Sequence, residues 1–174
     1  MRWGILSTGT IAKNFAQTAG QMPDVQMQAV ASRNRESAEA FARAYDIPTA
    51  HDSYEALAND PNVEIVYVAT PHSRHAEDMK LLIQAGKHVL CEKSFTIDAK
   101  QAKEIFALAQ EKHVAAGTDL SLYLDPDGNV WTWGDTKLSR DINRRIPYIV
   151  MQNSRSVLGS TEQKSFVIKK DGSL

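Results

Sequence analysis

Residues 2–33 read RWGILSTGTIAKNFAQTAGQMPDVQMQAVASR, and the order of apolar, small and periodic residues in this stretch decides the fold. An apolar run, Trp3 to Leu6, meets a turn of mostly small residues, Ser7-Thr8-Gly9-Thr10-Ile11-Ala12. Ile11, Phe15 and Ala19 then recur at spacings of four, as on one face of a helix. A second apolar run, Val25 to Ala31, closes the unit, which reads as strand, tight turn, helix, strand. A turn of this kind suits phosphate. With few bulky side chains in the way, backbone N–H groups and the partly positive helix N-terminus can approach a pyrophosphate.

The turn departs from the usual G-x-G-x-x-G/A pattern, because Ser7 stands where the first glycine is expected. Gly9, where the backbone comes closest to the pyrophosphate, and Ala12, where helix packs on strand, both fit. Strand two ends Val30-Ala31-Ser32-Arg33-Asn34, with no Asp or Glu between Asp24 and Glu36. An acid here would hold the free ribose 2′-OH of NAD, whereas an arginine suits the 2′-phosphate of NADP. By itself Arg33 also suits a solvated arginine opening a helix.

Working outward, 174 residues can bury one ordinary core, or one core with a small appendage. A formal net charge of −1 excludes a concentrated basic face, so neither nucleic acid nor a membrane surface is expected as a partner. The single cysteine, Cys91, leaves no internal disulfide and suits a reducing compartment. Met1-Arg2 leads straight into a short strand with no apolar leader, so a cytoplasmic location is expected.

Further along, a helix over Glu36 to Tyr45, a strand near Thr49 to His51 and a helix over Tyr54 to Ala58 precede a loop, Asn59-Asp60-Pro61-Asn62. The β-branched run Val63 to Ala69 reads as a central parallel strand, whose functional residues belong just past its carboxyl end. There stand Thr70-Pro71-His72-Ser73-Arg74-His75. His72 and His75 have no acid or cysteine cluster to complete a metal site, so no metal is expected, and the segment reads as a rim for the nicotinamide half of a cofactor. Ser73 alternatively caps helix four, which runs to about Gln84 with Ala76, Met79, Leu82 and Ile83 inward and Gly86 as its stop. The next strand, His88 to Cys91, delivers Glu92-Lys93-Ser94, a pair suited to polar recognition or proton transfer at a cleft. A last helix spans Ala99 to Lys112, with Ala102, Ile105, Phe106 and Ala109 on one face.

Taken together, Trp3-Gly4-Ile5-Leu6 with its turn, Ser32-Arg33, Ser53-Tyr54-Glu55, Asp60-Pro61-Asn62-Val63, Ala69-Thr70-Pro71-His72 with His75, and Gly86 to Lys93 resemble the N-terminal domain of the Gfo/Idh/MocA oxidoreductases. Within that family the chain is similar to the dihydrodiol dehydrogenase-like, NADP-using members, over about residues 1–113. The resemblance implies an NADP-dependent oxidoreductase that moves a hydride between the nicotinamide and a sugar or diol. It implies that Ser7, Thr8, Gly9, Thr10, Ile11 and Ala12 form the pyrophosphate turn and that Ser32 and Arg33 meet the 2′-phosphate. Thr70, Pro71, His72 and His75 would serve the nicotinamide half, Glu92 and Lys93 the ribose, the nicotinamide and the substrate, with Lys93 the catalytic residue. Ser94 stands where that family usually has a proline in a cis bond.

From Val114 the pattern changes to alternating β character, with Asp127-Gly128 as a hairpin turn. Ser121-Leu122-Tyr123-Leu124-x-x-Asp127-Gly128 returns as Ser165-Phe166-Val167-Ile168-x-x-Asp171-Gly172, an offset of 44 residues. Periods of this size mark propellers and solenoids. With Trp131-Thr132-Trp133-Gly134, the tail resembles a propeller repeat of the regulator of chromosome condensation type. The expected architecture is thus α/β: a Rossmann-type doubly wound parallel sheet over 1–113, with a short β-rich C-terminal tail over 114–174. The expected function is that of a cofactor-binding part without the family's substrate domain, an oligomer being compatible with it. Two alternatives stand beside it: a protein-interaction module that uses the tail, and a chimeric chain without catalytic function.

Overall fold

The computed structural model describes residues 1–23, 25–114, 116–117, 120–124, 130–134, 148–151, 154–159 and 165–169. They fall into two compact units, Met1–Val114 and Ala115–Leu174.

The first unit alternates strands and helices. β1 (Arg2–Leu6), β2 (Gln26–Ala31), β3 (Thr49–His51), β4 (Ile65–Val68) and β5 (His88–Cys91) lie in the order β3-β2-β1-β4-β5. All four pairings among them are parallel. The register puts Ile5 of β1 beside both Val30 of β2 and Tyr67 of β4. The connections run outward from β1 through β2 and β3 on one side and through β4 and β5 on the other. The strand order therefore reverses between β1 and β4, and in folds of this kind ligands bind past the carboxyl ends of the two strands at that point.

Burial explains why the strands read as continuous apolar runs. All four residues of β4 are buried, as are Ile5, Leu6, Ala29, Val30, Ala31, Val89, Leu90 and Cys91, because helices cover both faces of a parallel sheet. Each fully buried Leu or Ile contributes about 1.5–3 kcal/mol relative to exposure. Gly4 is needed for close packing: a Cβ there would lie 3.0 Å from Val63 Cγ1 and 3.1 Å from Leu57 Cδ1.

The helices are α1 (Thr10–Ala19), α2 (Arg35–Ala44), α3 (Tyr54–Ala58), α4 (His75–Gln84) and α5 (Ala99–Glu111). Asn34, Ser53 and Asp98 cap α2, α3 and α5 by accepting the N–H of Ser37 (2.8 Å), Ala56 (3.1 Å) and Gln101 (2.8 Å). α4 buries Ala76, Met79, Leu82 and Ile83 as the spacing requires, and Gly86 at φ +76° ends it. Two faces differ from their sequence reading. In α1 the sheet-facing stripe is Ala12, Ala16 and Ala19, whereas Ile11 is 47% exposed; small side chains let the helix lie close to the strands. Phe15 instead stacks on Tyr67 of β4, with ring centroids 3.9 Å apart. In α5 only Ile105 and Ala109 are buried, and the exposed Phe106 stacks on Phe95 at 5.1 Å.

The loop before β4 is a buried polar knot. Asp60 accepts from the Asn62 N–H (2.8 Å) and meets His51 Nε2 (2.9 Å), while the Lys87 ammonium donates to the carbonyls of Asp60 (2.6 Å) and Val63 (2.7 Å). Burial alone would raise the Asp60 pKa; the His51 and Asn62 hydrogen bonds, with Lys87 nearby, hold it below its ordinary value.

The second unit is β-rich: β6 (Ala116–Gly117), β7 (Leu120–Leu124), β8 (Val130–Gly134), β9 (Tyr148–Met151), β10 (Ser154–Gly159) and β11 (Ser165–Lys169). β7, β8 and β9 form one antiparallel sheet, β10 and β11 another. The two repeated segments at Ser121 and Ser165 lie on strands β7 and β11. Their Asp127-Gly128 and Asp171-Gly172 turns lie outside the described residues.

Candidate functional site

The site is assembled from four strand ends. At the end of β1, Ser7 takes φ +106°, a left-handed conformation that L side chains rarely adopt. This is where the fingerprint prefers glycine. The Ser7 N–H donates to the Ala31 carbonyl (2.9 Å), and its hydroxyl oxygen accepts the Gly9 N–H (3.2 Å). Gly9 then begins α1. Unlike α2, α3 and α5, α1 has neither a side-chain cap nor an acid in its first turn. Neither a cap nor a first-turn acid therefore offsets the partial positive charge of its N-terminus. Thr8 is half-buried, Gly9, Thr10 and Ile11 are exposed, and Ala12 is fully enclosed against the sheet. This arrangement fits a pyrophosphate.

At the end of β2, the Ser32 N–H donates to the His51 carbonyl (3.1 Å) and the Ser32 hydroxyl accepts the Asn34 N–H (3.3 Å). Arg33 is exposed. Burial, then Asp78, raises the Tyr54 pKa, and the Arg33 charge works against them.

At the end of β4 the chain makes a single 3₁₀ turn, His72–Arg74, before α4. Pro71, His72 and Ser73 are exposed there, and Ser73 does not cap α4, which has no side-chain cap. Thr70 is buried, its hydroxyl donating to Asp78 Oδ2 (2.6 Å), and Arg74 donates to Asp78 Oδ1 (3.0 Å). His75 corrects the expectation of a rim contact: it is 0% exposed, with Nε2 on the Thr70 carbonyl (2.8 Å) and Nδ1 on the Ser94 carbonyl (2.7 Å). As the first residue of α4 it turns inward, and it braces the loop after β4 against the loop after β5.

At the end of β5 the Glu92 N–H donates to the Val68 carbonyl (3.0 Å), and the Tyr67 hydroxyl donates to the Glu92 carboxylate. Burial, then the Glu92 charge, pushes the Tyr67 phenol and the Cys91 thiol up. Tyr67 therefore stays a neutral donor, and Cys91 is no thiolate nucleophile at neutral pH. Lys93 and Ser94 are exposed, and the peptide bond between them is cis. Sequence reasoning missed Tyr67 and Asp78. The one available signal was for Tyr67, a polar tip in an otherwise β-branched strand.

A doubly wound parallel sheet with an uncapped helix N-terminus at its switch point, and polar residues gathered on the neighbouring strand ends, defines the dinucleotide-binding class. Residues 1–119 match the family described as "Oxidoreductase family, NAD-binding Rossmann fold" (GFO_IDH_MocA), and the chain belongs to that family. Trans-1,2-dihydrobenzene-1,2-diol dehydrogenase of Mus musculus is 44% identical over 116 residues, which are 66% of this chain and 35% of that protein. The Sus scrofa enzyme of the same name is 43% identical over 114 residues, 64% and 34% of the two chains. The chain thus spans about a third of the length of these curated relatives. The crystal structure of KijD10, a 3-ketoreductase from Actinomadura kijaniata in complex with TDP-benzene and NADP, superposes with a TM-score of 0.66 at 32% identity, covering 68% of this chain and 38% of that one. An NAD binding oxidoreductase from Klebsiella pneumoniae superposes with a TM-score of 0.64 at 27% identity, covering 68% and 34%. No described helix is long and apolar enough to cross a membrane.

Proposed function

We propose that residues 1–113 are the NADP-binding domain of an oxidoreductase acting on a sugar or diol, and that 114–174 are a β tail resembling a propeller repeat. The observation that carries the cofactor choice is Arg33, exposed at the end of β2, with no acid between Asp24 and Glu36 to hold a free 2′-OH. The relationship to diol dehydrogenases and to a ketoreductase solved with NADP supports it.

When bound, the cofactor supplies or accepts a hydride. Ser7 to Ala12 hold the pyrophosphate through backbone N–H groups at the uncapped α1 terminus, and the Gly9 N–H exchanges its Ser7 hydroxyl partner for a phosphate oxygen. Arg33, beside Ser32, binds the 2′-phosphate by charge-assisted hydrogen bonds. Pro71 and His72 line the nicotinamide half, with Thr70 fixing the loop from below. Glu92, oriented by Tyr67, binds ribose, and Lys93 donates a hydrogen bond to the substrate oxygen. The general acid/base for that oxygen comes from outside residues 1–113, so the Rossmann unit alone orients the cofactor without fast turnover.

The test is to titrate the chain with NADPH and NADH while following cofactor fluorescence. NADPH should bind about ten- to a hundredfold tighter, and Arg33→Ala should abolish the difference. Equal affinities in the unmodified chain, or a preference that survives Arg33→Ala, would overturn the assignment.

A further inference from the structure

Asp78 stands in the first turn of α4 and is 1% exposed. A carboxylate so enclosed is destabilising unless its oxygens find donors, and an apolar residue of similar volume would often serve the packing as well or better. An acid in a first turn suits the helix dipole, yet the exposed Glu77 already supplies one from the surface. Asp78 therefore has a use beyond packing and helix charge. Each of its oxygens takes a donor: Oδ2 the Thr70 hydroxyl at 2.6 Å, Oδ1 the Arg74 guanidinium at 3.0 Å. Arg74 is steadied in turn by Glu77 (3.4 Å) and lies over the Tyr54 ring, 6.0 Å from its centroid.

We propose that Asp78 is a positioning residue for the nicotinamide half of the cofactor, holding Thr70 inward so that Pro71 and His72 stand where that half arrives. This rests on the reading of Pro71 and His72 given above. Thr70 is buried and fastened at two points, its hydroxyl on Asp78 and its carbonyl opposite His75 Nε2 at 2.8 Å. Its one hydroxyl hydrogen goes to Asp78, so Thr70 serves the cofactor by being held and not by donating to it. Pro71 follows at φ −59°, fixed by its ring, so the direction in which Thr70 leaves β4 sets the path of the next two residues. Both are exposed, and the His72 ring meets the buried His75 ring at a steep angle, centroids 5.5 Å apart. The exposed pair thus rests on Thr70 and His75, and Thr70 on Asp78.

The experiment compares, by titration calorimetry on the full chain, NADPH with adenosine 2′,5′-bisphosphate, which keeps the adenosine and the 2′-phosphate and lacks the nicotinamide half. The unmodified chain should bind NADPH at least about tenfold tighter. Asp78→Leu, which removes both acceptors at similar volume, should raise the dissociation constant for NADPH about three- to tenfold and leave that for the bisphosphate within about twofold. Thr70→Val should do the same, and the double variant should bind NADPH no more weakly than the weaker single, because both residues act through one hydrogen bond. Bisphosphate affinity and the thermal midpoint report whether each variant is folded. Should Asp78→Leu not fold, Asp78→Asn, whose amide offers one oxygen in place of two, is measured beside Thr70→Val and should narrow the gap in the same direction. The inference is overturned if the folded variants keep the unmodified gap between the two ligands, or weaken both ligands equally. His72→Ala tests the reading beneath it and should narrow the gap as well. A gap that survives His72→Ala, or no gap in the unmodified chain, would remove the rim and this inference with it.

Discussion

The turn Ser7 to Ala12 and the paired loops after β4 and β5 lie at the same edge of one sheet, yet they are built by opposite means. The turn is half-buried to exposed up to Ile11, offers backbone groups, and spends one side-chain hydrogen bond on itself, Ser7 to Gly9. The loops rest on side chains shut away from water: Thr70, His75 and Asp78 are 5%, 0% and 1% exposed and bonded to one another's loops. A ligand site made of backbone needs only a chain path that clears the way. One made of side chains needs a second layer of polar groups to aim them, and that layer must be satisfied inside the protein, because unpaired buried groups are costly.

The largest expected effect comes from breaking the brace between the loops. His75→Leu keeps volume but removes the imidazole N–H that lies between the carbonyls of Thr70 and Ser94, and should cost about 1–3 kcal/mol in urea unfolding. Thr8→Ala in the turn, at a half-buried side chain, should stay within about 0.5 kcal/mol. Equal costs at the two sites would erase the contrast.

A smaller effect tests whether buried polar bonds act alike where no ligand is expected, in the Asp60 knot. Because the Asp60 pKa is held below its unfolded value, its contribution is complete above the unfolded carboxyl's ~4 and is lost as pH falls through the lower folded value. Thermal midpoints of the native chain should therefore fall off below about pH 4 more steeply than those of Asp60→Asn. Parallel profiles would show that the knot contributes no pH-dependent stability.

The smallest effect lies in the turn itself. Glycine in a turn ordinarily costs about 0.5–1 kcal/mol in chain entropy, but Ser7 at φ +106° carries strain that glycine would relieve. Ser7→Gly should leave stability unchanged or raise it by about 1 kcal/mol, read by the same unfolding experiment. A loss above about 1 kcal/mol would mean that the Ser7–Gly9 hydrogen bond outweighs the strain.

The two regions were also unequally legible. The βαβ unit, the apolar run of β4 and the inward face of α4 follow from residue order, since period and burial are properties of neighbours along the chain. The inward face of α1 did not follow: the sheet accepts its alanines at close range and turns Ile11 out to solvent. His75 read as a surface residue because its two carbonyl partners are 5 and 19 residues away, on different loops.

What the sequence determined by itself was local: strands, helices, the small-residue turn after β1 and the arginine just past β2. Tertiary structure alone decided which polar residues face inward. It set Arg74 over the Tyr54 ring, Tyr67 beside Glu92 and Asp78 against Thr70. The reason is that a polar side chain carries no periodic signal of its own. Whether it meets water or another polar group depends on crossovers that bring distant strand ends together.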